Sequence, residues 1–158
     1  MVQSVVVLTE GALSPADAER LVALYDPDRP SVHVLVPAGG HPNVLVAVLD
    51  HLSLFELREA VGAVQGRPEV TTSEAEADVR ASVDALERLG CTASGEVVDG
   101  KDPLTAVAAS VHAGAEEVLV VTSPHAVEDT LHRDWASEAR ERLGVPVLHV
   151  YADSSWVG

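Results

Sequence analysis

Short runs dominated by valine and leucine recur along the chain with helix-forming stretches between them: SVVVLT at residues 4–9, SVHVLVPA at 31–38, the segment 93–98, EEVLVVTS at 116–123 and PVLHVY at 146–151. Runs this short and this apolar suit strands covered on both faces, because a strand with one wet face alternates polar with apolar residues. Strict alternation of such strands with helices calls for right-handed crossovers, hence an α/β fold with a five-stranded parallel sheet and helices on both faces. The 158 residues are long enough for a proper core and short for two, so residues 1–158 read as a single domain.

Local signals mark the helices. Ser14 caps a helix with Pro15 at its first position and Asp17 in its first turn, and Ala18, Leu21, Val22 and Leu24 supply its apolar face before Asp26-Pro27 ends it. Pro37 and Gly39-Gly40 stop the second strand. From His41 to Pro68 the apolar positions Val44, Leu45, Val48, Leu52, Phe55 and Ala60 favour a helix, against a β-branched run that argues for a strand. Ser73 and Glu76 form a capping box ahead of Val79, Val83 and Leu86, with Gly90 as the stop. Asp102 and Pro103 start a helix with Leu104, Val107, Ala108 and Val111 on one face and Gly114 at its end. A last helix runs from about Glu128 to Leu143 through Leu131, Trp135 and Ala139, and the tail that follows Tyr151 has little to hold it down.

Charge narrows the function classes. Ten Lys and Arg face 25 Asp and Glu, a formal net charge of -15 that repels phosphate backbones and anionic lipid headgroups. Neither nucleic acid nor a membrane is expected as a partner. The longest apolar stretch, 44–64, contains Asp50, His51, Glu56, Arg58 and Glu59, too polar for a span. The lone Cys91 cannot form an intrachain disulfide, and the first ten residues lack the basic region and cleavage site of a signal peptide, so the expected location is cytoplasmic.

The run DPLTAVAASVHAGAEEVLVVTSPH, followed by HRDWASEARERLGVPVLHVY, resembles the second half of a universal stress protein, and the rest of the chain follows that pattern more loosely. The resemblance implies a Rossmann-like sheet of the universal stress protein and adenine nucleotide alpha hydrolase type with strand order 3-2-1-4-5. It also implies a homodimer joined through the closing strand, Pro146 to Tyr151, whose edge needs pairing or protection. Many members of that family bind ATP through a glycine-rich loop after the fourth strand. Here that place reads Thr122-Ser123-Pro124-His125-Ala126-Val127-Glu128-Asp129, with no glycine between Gly114 and Gly144. Glycines let backbone N–H groups approach phosphate oxygens, and Pro124 removes one such donor. The expectation is therefore a binding or regulatory module of the non-ATP type, with no cofactor, no metal and no assigned catalytic residue.

Open parallel sheets hold ligands at the carboxyl ends of their strands, near the point where strand order reverses. The crevice candidates are Thr9, Glu10, Pro37, Asp99, Thr122, Ser123 and His125, with Glu10 standing near the family's acidic adenine-recognition position. A small-molecule ligand would bind there. Two alternatives stay open: an atypical nucleotide site using Ser123, His125, His132 and Arg133, and a small-metabolite enzyme with Glu10, Asp99 or His125 as acid or base. The seven histidines show no metal-ligand spacing, and His33 and His149 read as partly buried polar residues of strands.

Overall fold

A computed structural model of the chain describes residues 3–25, 28–39, 71–100, 102–122 and 138–152. The expectations placed on 41–68, on Ser123, His125, His132 and Arg133, and on both tryptophans lie outside these residues.

Five strands, β1 (Ser4–Thr9), β2 (Ser31–Ala38), β3 (Thr92–Asp99), β4 (Glu117–Thr122) and β5 (Val147–Tyr151), form one all-parallel sheet in the order β3-β2-β1-β4-β5. The order 3-2-1-4-5 is the one the resemblance implies. Alternation along each strand divides the core in two. Val5, Val7, Val32, Val34 and Val36 face α1 (Pro15–Ala23) and α2 (Thr72–Arg88), with Leu21 and Leu86 fully buried between them. Val6, Leu8, Leu35, Val118 and Val120 face α3 (Pro103–His112) and the helical residues 138–143, which contribute Leu104, Val107 and Ala139. Walking outward from β1 to β3 with right-handed crossovers keeps α1 and α2 on one face. The return to β4 and β5 puts the later helices on the other. Each fully buried Leu or Val contributes roughly 1.5–3 kcal/mol of transfer free energy.

The helix signals translate into specific hydrogen bonds. Asp17 N–H donates to Ser14 Oγ at 3.1 Å and Ser14 N–H to Asp17 Oδ2 at 3.4 Å, closing a capping box at α1. At α3, Asp102 accepts from the Thr105 amide at 3.3 Å and the Thr105 hydroxyl at 2.6 Å. At the end of α2, Gly90 N–H reaches Glu87 O and Cys91 N–H reaches Leu86 O, with Gly90 at φ 88°. That paired closure needs a left-handed residue, which glycine adopts without a Cβ penalty.

Three local readings are corrected. The capping box of α2 is Thr71 with Glu74, not Ser73 with Glu76: Thr71 N–H donates to Glu74 Oε2 at 3.0 Å and Glu74 N–H to Thr71 Oγ1 at 3.2 Å. Both pairs have the required spacing, and the earlier start sets Ala75 in the first turn, fully buried against the core. Leu24 is not on the apolar face of α1; it is the C-cap and 43% exposed. Pro37 does not stop β2, since it stays in register with Val98. Pairing of β2 with β1 ends at Leu8↔Leu35, so among the described residues Pro37 is flanked by β3 alone and a missing N–H is tolerated.

Candidate functional site

The strand order reverses between β1 and β4, whose carboxyl ends are held together by the register Thr9↔Val121 and by Glu10 N–H donating to Val121 O at 3.2 Å. Thr9, Glu10 and Thr122 therefore meet at adjacent strand ends, as the switch-point rule anticipates. All three are buried, Glu10 at 6% exposure, so a carboxyl group sits at the floor of this end of the sheet and not in its solvated rim. The Thr9 hydroxyl turns back on its own loop, donating to Gly11 O at 2.8 Å. Pro37 ends up buried in β2, and Asp99 lies exposed at the end of β3. Two strand spacings separate β3 from β1, on the order of 10 Å, which sets Asp99 on the flank of the crevice.

The loop after β1 is clamped from the side by α2. Ser82, fully buried, accepts from the Leu13 amide at 2.9 Å and donates to the Asp78 carbonyl at 2.8 Å. One turn earlier, the Asp78 carboxylate lies beside the same loop, near the Ala12 backbone amide. Burial pushes the Asp78 carboxyl above its ordinary value, the neighbouring Glu74 charge adds to the effect, and the Ala12 amide partly offsets it. The segment from Glu10 to Leu13 is thus positioned by a helix almost seventy residues away in sequence.

On the other side of the crevice, Thr122 Oγ1 and His149 Nε2 are 2.7 Å apart in a buried hydrogen bond, and the His149 ring meets Tyr151 edge-on at 4.9 Å between centroids. The ring is 2% exposed, more deeply buried than a partly covered strand histidine. Sequence reasoning left both Asp78 and His149 off the site. The signal for His149 was present: it falls on the same strand face as Val147, and a polar residue on the inner face of a doubly covered strand must find a partner.

The chemistry available at the described strand ends is acidic and hydroxylic. At 9–11, 37–39, 98–100 and 121–122 the charged side chains are Glu10 and Asp99, and none is lysine or arginine. Among the described residues, no group of three His, Cys, Asp or Glu is placed to hold a metal ion, and no helix is long and apolar enough to cross a membrane. No family model, curated protein or solved structure matches the chain.

Proposed function

We propose that the chain is a cytoplasmic binding or regulatory module of the universal stress protein kind that does not take ATP and works as a homodimer through contacts with partners, not through catalysis. The observation that carries this reading is the character of the strand ends. A triphosphate needs cations or convergent backbone amides. The described end of this crevice instead holds the buried Glu10 and the exposed Asp99 without a lysine or arginine, and the sequence after β4 has no glycine before Gly144. A small ligand of this crevice is neutral or cationic.

The dimer rests on β5. It is an outermost strand of the sheet, and the free side of such a strand offers backbone groups for pairing with a second copy.

The test is calorimetric titration with Mg-ATP beside a thermal-shift readout, because a ligand of the native state must raise its stability. No heat and no shift up to millimolar ATP is the expected result. Binding at micromolar affinity overturns the proposal in favour of an atypical nucleotide site. A monomeric mass by sedimentation at micromolar protein removes the dimer.

A further inference from the structure

A cavity of about 470 Å³ opens toward the opposite end of the sheet, over the start of β1, the first half of β2 and the middle of β3, and beneath α3. The pattern of the strands changes there. On this face the central strands are apolar at Leu8 and Leu35, both buried, whereas Ser31 and His33 of β2 and Ser94 and Glu96 of β3, the last level with Leu35, line the cavity. The helix changes with it. Toward the core α3 sends Leu104 and Val107, but over the cavity it presents Ala106, Ala109, Ser110 and, at its C-cap, Ala113, which leave space unfilled.

The polar groups are organised. His33 Nδ1 and Ser94 Oγ are 2.8 Å apart, and His33 Nε2 lies 3.7 Å from Glu96 Oε1, so the imidazole is oriented from both sides. Glu96 lines the cavity and keeps 57% side-chain exposure. A concave site of this volume with a few convergent polar groups suits a small molecule.

We propose that this cavity is a binding site, separate from the crevice, for a small organic cation bearing a primary amine. Charge selects the class. Glu96 is the carboxylate among the lining residues, none of which is lysine or arginine, and the chain carries a net charge of -15, so an anion meets repulsion at every distance. A neutral polyol could donate hydrogen bonds to the carboxylate but would leave its charge uncompensated. An ammonium group at Glu96 takes a charge-assisted hydrogen bond, while the serine hydroxyls accept from its remaining N–H groups and the alanines of α3 cover its methylenes.

The test is amide-resolved NMR titration of the full chain with putrescine, against 1,4-butanediol as the neutral analogue of matching length, at 0.15 M salt to screen diffuse attraction. Saturable shifts centred on residues 31–33, 94–96 and 106–113 with putrescine, and none with the diol, are expected. Glu96→Gln should weaken binding at least tenfold, and Ala109→Phe, which fills the cavity from an exposed helix position, should abolish it. Glu87→Gln makes the same charge change on the far face and should leave affinity unchanged. Non-saturating shifts spread over the acidic surface, equal effects of Glu96→Gln and Glu87→Gln, or equal binding of the diol would each overturn the assignment.

Discussion

Replacing Ser82 by alanine isolates one hydrogen bond that joins α2 to the loop after β1. The hydroxyl makes two bonds, accepting from Leu13 N–H at 2.9 Å and donating to Asp78 O at 2.8 Å. The second is dispensable, because helix geometry already brings the Ser82 amide to the Asp78 carbonyl. The first is not: Ser82 is fully buried and Leu13 is 3% exposed, so the Leu13 amide would lose its acceptor in a place water does not reach. An unsatisfied buried donor costs about 1–3 kcal/mol. Alanine returns roughly 0.5 kcal/mol of helix propensity over serine. The net loss is about 0.5–2.5 kcal/mol, equivalent to a fall in Tm of roughly 1–10 °C for a chain of this length. Urea unfolding should show a lower midpoint at unchanged slope. Ser110→Ala is the matched control. Ser110 makes the same back-bond to the carbonyl four residues earlier, Ala106 O at 3.2 Å, and among the described residues no amide donates to it, so its change should stay within about 0.5 kcal/mol. If Ser82→Ala proved no more costly than Ser110→Ala, the clamp on the crevice loop would not be an energetic one.

Two further outcomes follow from the same packing. A Cβ at Gly95 would lie 2.7 Å from Val79 Cγ1 and 3.0 Å from the Val34 carbonyl oxygen, so Gly95→Ala should destabilise by about 1–3 kcal/mol in chemical denaturation, since neither a stiff valine nor a ladder carbonyl yields easily. Because the folded state raises the Asp78 carboxyl above 3.8, it holds that proton to higher pH than the unfolded chain does, and stability is lost as pH climbs from the ordinary value through the raised one. Asp78→Asn should therefore add nothing to thermal stability below about pH 3.8 and reach its full gain near neutrality; a gain largest in acid would contradict the sign.

Strand identities, helix caps and the α/β class were legible in short stretches of sequence, because each depends on residues within one turn or one pleat of each other. Ser14 with Asp17, Asp102 with Pro103, and Gly90 and Gly114 as helix stops are all of this kind. The readings that shifted were those in which two local signals competed or a neighbour in space intervened. Thr71 and Ser73 offer equal capping spacing, and the burial of Ala75 separates them. Pro37 looks like a strand breaker until the shorter reach of β1 leaves its side of the ladder open.

The candidate site was half legible. Thr9, Glu10 and Thr122 could be named because strand ends and the point of order reversal follow from topology alone. What the groups at that site touch could not be read. Ser82 meets Leu13 across 69 residues and His149 meets Thr122 across 27, and in the separate cavity His33 meets Ser94 across 61. Such pairs carry no periodic trace in sequence, because a hydrogen bond between distant strands and helices constrains only two positions, whereas a buried face constrains every second or every third to fourth residue. The one-dimensional pattern thus determined that this chain makes a doubly covered parallel sheet. Only the folding of that sheet decided which polar side chains lie buried at its carboxyl end and which line the open cavity at its amino end, since burial of a polar group is settled by the partner that satisfies it.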